Sequence, residues 1–197
     1  MIKVGIVGDI GSGKSYVSKQ FGSPVFSADK EVKKIYKSRK CFNVLKKNIP
    51  KYIFSFPINK KEIGKAVLAI QINLKKIVKV VHPIVRIRMN KFLQKNKSKK
   101  MVILDIPLLL ENKINDKNFK LIFVDANQKE IQKRLKKRIN YNPKLFYKLK
   151  KIQLSLEIKK KKSDFIIKNN FKSSYIKKRV KMLKIKILNN ERDSFRH

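Results

Sequence analysis

Eight residues near the start of the chain, GDIGSGKS at positions 8–15, have the types and spacing of a phosphate site. Gly8, Gly11 and Gly13 reach backbone angles closed to other residues and leave oxygens room to approach the chain. Successive backbone N–H groups then converge on an anion, and the start of the following helix adds favourable partial charge. In such a loop Lys14 reaches the β- and γ-phosphates of a nucleoside triphosphate, and Ser15 offers its hydroxyl to Mg2+. The loop by itself does not separate a kinase from a GTPase or a motor.

Phosphoryl transfer needs more than a cradle. It needs a group that orients or deprotonates the acceptor, and cations for the charge that develops on the phosphoryl oxygens. Asp29, after PVFSA, is placed to accept a hydroxyl proton, although a carboxylate at the end of a strand also serves to cap the next helix. Arg134 and Arg138 are spaced four apart, as on one helix face, and could close over a polyphosphate; in a basic chain they could equally be solvated. Asp105, at the end of the apolar run MVILD, could orient metal-bound water or hold the acceptor. His82, followed by Pro83, reads on its own as a surface or helix-start residue, and Cys41 as a quiet thiol.

The elements that must position these residues follow from the pattern. Ile2, Val4, Ile6 and Val7 form a β-branched run that predicts a buried parallel strand before the loop, and Val17 and Phe21 share one face of the helix after it. Further strands are expected over residues 24–29, 101–107, 119–126 and 163–167, with a turn at Asn169 and Asn170. Helices are expected over 30–48, over 60–80, from His82-Pro83 to about 95, over 128–138, from about 143 to 160, and over 173–184. Strands alternating with helices predict an open parallel α/β sheet covered on both faces, with ligands beyond the strand C-terminal ends. The helical stretch 30–100 is too long for a plain crossover and reads as an inserted acceptor-binding subdomain; 128–162 reads as a second insertion. The last residues, 189–197, are expected to fray.

Composition bounds the rest. The formal charge is +39, but only eight of the 52 basic residues are arginine, and lysines such as those at 97, 99, 100 and 159–162 are spread along the chain. Base reading and forked phosphate contacts favour arginine. With abundant Ile and Asn, the excess reads as compositional bias on solvated positions. It predicts weak, salt-sensitive adhesion to polyanions and no specific nucleic-acid partner. There is no apolar stretch long enough to span a membrane, and a chain opening on a strand argues against a signal peptide. One cysteine and two histidines argue against a disulfide or a metal held mainly by protein, which fits a reducing cytoplasm.

Taken together, the residues resemble the dephospho-coenzyme A kinase family. GDIGSGKS is similar to its GxxGSGKS loop, and Ser27-Ala28-Asp29 to its Asp-Ala-Asp. His82-Pro83-Ile84-Val85-Arg86 is similar to its His-Pro-x-x-Arg segment, and DIPLLLE at 105–111 to its Asp-x-Pro-Leu-Leu-x-Glu. Arg134, Arg138, Gln153 and SDFIIKN at 163–169 follow its lid and final strand. The pairing of HPxxR with DxPLLxE, in that order, is far more specific than the loop. The chain departs from the pattern at Ser27 (for Asp), Tyr16 (for a small hydroxyl residue), Ile131 (for Gln), Lys60 (for Arg) and Lys168 (for an acid).

The resemblance implies a P-loop NTPase-type fold: an open parallel five-stranded sheet flanked by helices, with a helical acceptor-binding insertion and a helical lid. It implies a nucleotide-binding core at 1–29, 101–127 and 163–197, a coenzyme A-binding subdomain at 30–100 and a lid at 128–162. It implies ATP and Mg2+ as cofactors, with Gly11, Ser12, Gly13, Lys14, Ser15 and Tyr16 on the phosphates, Ser15 on Mg2+ and Asn169 near the adenine. Asp29 would take the proton from the ribose 3′-hydroxyl of dephospho-coenzyme A. His82, Arg86, Asp105, Leu108 and Glu111 would shape the acceptor pocket, and Arg134 and Arg138 would belong to the lid. A monomer without membrane attachment is expected. Another P-loop small-molecule kinase, such as a nucleoside monophosphate kinase, remains the alternative, with a nucleic-acid binder that holds ATP behind it.

Overall fold

The computed structural model describes residues 1–112, 114, 119–139 and 141–194, with side chains to residue 189. Two compact units emerge: Met1–Ser27, Asn96–Tyr141 and Gln153–His197 form one, and Ala28–Lys95 with Asn142–Ile152 the other.

The first unit is built on five parallel strands: β1 (Ile2–Gly8), β2 (Val25–Ser27), β3 (Met101–Asp105), β4 (Phe119–Ala126) and β5 (Phe165–Asn169), in the spatial order β2-β3-β1-β4-β5. One face packs Ile2, Val4 and Ile6 with Met101, Ile103, Ile122, Val124 and Ile167 against α1 (Lys14–Gln20) and α9 (Ser173–Ser194). Those helices contribute Val17, then Ile176, Val180 and Ile187 at helical spacing. Burial on both faces explains why β1, β3 and β4 read as near-continuous apolar runs, whereas β5, at the edge, alternates. Gly5, mid-strand in β1, is small for a reason: a Cβ there would stand 2.9 Å from Leu121 Cδ2 and 3.2 Å from Leu109 Cδ1. The remaining helices of this unit are α6 (Gln128–Lys136) and α8 (Leu156–Lys161). Because β1 is central, with crossovers leaving to either side, the loop after it lies at the sheet's carboxyl edge near the reversal of strand order.

The second unit is helical: α2 (Ala28–Ile35), α3 (Arg39–Asn48), α4 (Lys60–Ala69), α5 (Gln71–Lys95) and α7 (Pro143–Lys151). It has its own core of Ile35, Phe42, Leu45, Ile49, Ile53, Val67, Ile77 and Val81, with Leu145 of α7 packed against it. Arg88 of α5 pairs with Glu31 of α2 at 2.9 Å. Burial works to raise the Glu31 carboxyl, but hydrogen bonds from Lys34 and Arg88 outweigh it and hold the group below its ordinary value.

Several boundaries differ from the sequence expectation. The stretch 30–48 breaks into α2 and α3 around residue 37, and the stripe over 60–80 turns at Ile70, which is extended (φ −137°). That corner carries neither glycine nor proline. It is pinned by the buried Asn73, whose side-chain amide donates to the Ala66 carbonyl at 2.9 Å. Conversely, Pro83 does not start a helix; α5 runs through it, with Val81 buried before it and Met89 after. Packing on both sides outweighs the backbone bond that proline removes, about 3 kcal/mol. The expected helix over 143–160 is two helices, α7 and α8, separated at 152–155, and the side chain of Ser155 accepts from Ile158 N at 3.2 Å to cap the second. The unit boundaries place α7 with the helical unit, and α6 and α8 with the sheet.

Candidate functional site

The loop at residues 8–15 has the backbone its glycines foretell. Gly8, Gly11 and Gly13 all have positive φ, at 145°, 89° and 90°. A side chain at Gly8 would stand 2.7 Å from the Val124 carbonyl oxygen, and one at Gly11 3.0 Å from Ile131 Cγ2. Gly13 is the N-cap of α1 and has no side chain to close the helix start. The amides of Gly13, Lys14 and Ser15 have no helix carbonyl a turn before them to bond, so the helix start can serve an anion. Tyr16 and Val17 already donate to the Gly13 carbonyl, each at 3.0 Å.

Side chains fix this loop from several elements. Ser12 is buried, and its Oγ has no hydrogen-bond partner among the described residues. The Asn169 amide, at the end of β5, donates to the Ser12 carbonyl at 2.7 Å, while its oxygen accepts from Phe171 N at 2.8 Å. Asn169 therefore belongs to the last strand rather than to a turn. Phe171 has a positive φ of 61°. The Arg134 guanidinium stacks over its ring at 4.5 Å, which brings that arginine of α6 beside the loop. Arg138 lies just past the α6 C-cap, Lys137, so the four-residue spacing does not put both arginines on one helix. Lys14 bends back, its Nζ donating to the carbonyls of Asp9 at 2.7 Å and Gly8 at 3.2 Å. Tyr16 shares a hydrogen bond with Ser173 at 2.6 Å, and Ser15 is exposed at the start of α1.

On the same sheet edge, Asp105 ends β3 beside Ser27 of β2 and is buried. Leu108 and Glu111 follow in a turn in which Asn112 donates to the Leu108 carbonyl from both its backbone, at 3.0 Å, and its side chain, at 2.9 Å. In the helical unit, Asp29 lies in the first turn of α2, exposed, and not at a strand end. His82 and Arg86 stand one turn apart on α5. Burial, then the Arg86 guanidinium, hold the His82 imidazole below its ordinary value, so it is neutral at pH 7. Burial pushes the Cys41 thiol up, which leaves it unreactive.

Two residues at the loop, Asp9 and Phe171, were not foreseen. Asp9 is buried, accepting from Ile10 N at 2.7 Å and from the Gln128 amide at 3.0 Å, so it ties the loop to the first residue of α6. Phe171 gives no sequence signal for a left-handed residue beyond the Asn pair before it. Ile131, where the resemblance leads to glutamine, is buried beneath Gly11.

The donor set fits a magnesium nucleotide. Among the described residues no group of three His, Cys, Asp or Glu could hold a metal unaided. Mg2+ needs no such cage: it is held by one or two protein oxygens, waters and substrate phosphates. An exposed serine beside the amides of the helix start suits that arrangement. No helix among the described residues is long and apolar enough to cross a membrane.

A family model described as dephospho-CoA kinase matches residues 2–174. The dephospho-CoA kinase of Wolbachia pipientis wMel is 33% identical over 184 residues, covering 90% of this chain and 94% of that one. Among solved structures, TT1252 from Thermus thermophilus superposes with a TM-score of 0.76 at 25% identity, over 96% of this chain and 97% of that one. The dephospho-CoA kinase from Campylobacter jejuni superposes with a TM-score of 0.62 at 22% identity, over 94% and 96%, a likeness of fold.

Proposed function

The chain belongs to the dephospho-CoA kinase family, and from that premise we propose how its residues divide the work. It is a kinase that uses ATP to phosphorylate dephospho-CoA in coenzyme A biosynthesis. The observation that carries this is the family match over residues 2–174, which takes in both the phosphate loop and the helical unit.

The finer assignment is that the phosphoryl group goes to the ribose 3′-hydroxyl, in the last step of that synthesis. In this reading residues 11–16 grip the donor's phosphates, the amides of Gly13, Lys14 and Ser15 being the ones left for them by the loop's own hydrogen bonds. Lys14 exchanges its two loop carbonyls for β- and γ-phosphate oxygens. Asp29 accepts the hydroxyl proton as the oxygen attacks the terminal phosphorus. Arg134, released from Phe171, and Arg138 offset the charge spreading over the transferred group. Ser15 would hold Mg2+, which would supply positive charge to offset that of the donor's phosphates. Asn169 holds the adenine side of the loop. His82, as a neutral hydrogen-bonding group, with Arg86, Asp105 and Leu108, shapes the acceptor pocket, and Glu111 shapes it through the turn that carries Leu108. The enzyme works as a cytoplasmic monomer, and its lysines attract polyanions only weakly and lose them as salt rises.

A coupled assay of ADP release tests the reading against its alternative. The expected result is turnover with dephospho-CoA and little with nucleoside monophosphates. Turnover with a nucleotide and none with dephospho-CoA would contradict it.

A further inference from the structure

One lysine in the run at 159–162 is not solvated. Lys160, Lys161 and Lys162 are exposed, but the Lys159 side chain is only 2% exposed. Its Nζ donates to the Gln153 amide oxygen at 2.6 Å and pairs with Glu111 Oε1 at 3.0 Å. That same Glu111 oxygen accepts from Leu154 N at 2.9 Å. Two charges, an amide and a backbone N–H thus meet inside the sheet unit, joining the turn after β3 to the segment that leads into α8.

Such a pair is a poor way to add stability, since apolar residues of like volume do as well or better. Its value lies in what it holds in place. Glu111 lies near the end of the turn that carries Leu108 and begins just after Asp105. Leu109, fully buried in that turn, packs where Gly5 leaves room in β1, so the turn has an apolar anchor at one point and a charged one at the other. β3 pairs directly with β1, with Leu104 opposite Gly5, so the turn leaves the sheet at the edge from which the phosphate loop also departs. The Glu111 carboxylate is engaged by Lys159 and Leu154, which suits a brace for this turn better than a direct ligand for substrate.

We infer that Lys159 is a positioning residue for acceptor recognition: through Glu111 it fixes the turn at 106–112 and so the placement of Asp105 and Leu108. This rests on the proposed reading that those two residues meet the acceptor. The phosphate loop is held by other partners, Asn169 and Gln128, so donor binding is insulated from the pair.

The test is steady-state kinetics with each substrate varied in turn, alongside thermal unfolding, on Lys159→Met and Glu111→Gln. The first removes the ammonium and keeps the stem; the second keeps an acceptor for Leu154 N and provides the readout if the first folds poorly. The expected result is a rise in KM for dephospho-CoA of about tenfold or more in Lys159→Met, smaller in Glu111→Gln, with KM for ATP within about twofold. Lower melting temperatures with both KM values unchanged would reduce the pair to a structural brace and overturn the inference. So would equal rises in both KM values. A wild-type enzyme inactive on dephospho-CoA would overturn the functional reading itself, and the inference with it.

Discussion

The side-chain amide of Asn169 donates to the backbone carbonyl of Ser12 at 2.7 Å, stitching the end of β5 to the phosphate loop. Its other end accepts from Phe171 N, so one buried side chain sets both the loop and the left-handed turn behind it. The amide lies directly over Gly13, in contact with the position a Cβ would take.

Gly13→Ala should therefore cost more than an ordinary change at a positive-φ glycine. Backbone strain of about 1–3 kcal/mol is joined by displacement of Asn169. Gly22 is the control: its φ is also positive, 56°, but the nearest atom to a Cβ there is Lys184 Nζ at 4.0 Å. Gly22→Ala should cost only the local backbone strain, about 1–2 kcal/mol. Denaturant unfolding of both variants decides, and equal losses would show that the Asn169 contact adds nothing.

Lys14→Ala should lower turnover by about 100-fold or more, the usual cost of losing one preorganised charge on the developing transition state. Unfolding curves should shift far less than turnover, because Lys14 is half-buried and the carbonyls of Gly8 and Asp9 are neutral hydrogen-bond partners, worth about 1 kcal/mol each. Unchanged turnover would contradict the role given to the loop.

Asp29→Asn should lower kcat by about 10²–10⁴, the range for a general base, with KM for ATP nearly unchanged. Asp29 is exposed in the first turn of α2, so the change should also be mild in stability. Parallel loss of ATP affinity and turnover would assign it to nucleotide binding instead.

His82 makes a pH prediction with a definite sign. Its imidazole is held below the ordinary value of 6.5, so the unfolded chain binds the proton more readily than the folded one. The stability due to neutral His82 is complete above pH 6.5 and is lost as pH falls through the lower folded-state value. His82→Gln should flatten the decline of stability below pH 6.5 relative to wild type. Superimposable slopes in the two proteins would show that His82 is as free to protonate folded as unfolded.

How much of this could be read from residues alone varied with the physics involved. The central strands were legible because a parallel sheet buried on both faces demands apolar runs such as residues 101–104 and 121–124. The phosphate loop was legible because its glycines carry their backbone angles in their own chemistry. The corner at Ile70 was not, since a buried amide from Asn73 makes it and no turn residue announces it. Pro83 misled in the other direction, as packing carried α5 through it. Lys159 was hidden in a run of like residues, and only the fold supplies Glu111 as its partner. Phe171 and Asp9 likewise take their roles from elements distant in the chain.

The most direct measurement is the identity of the phosphorylated product. Enzyme, ATP and dephospho-CoA should be incubated together and the acceptor recovered for mass spectrometry. Dephospho-CoA should be converted to a species heavier by one phosphoryl group and co-eluting with coenzyme A, with ADP formed in equal amount. ADP released while dephospho-CoA is recovered unchanged would contradict the proposed reaction.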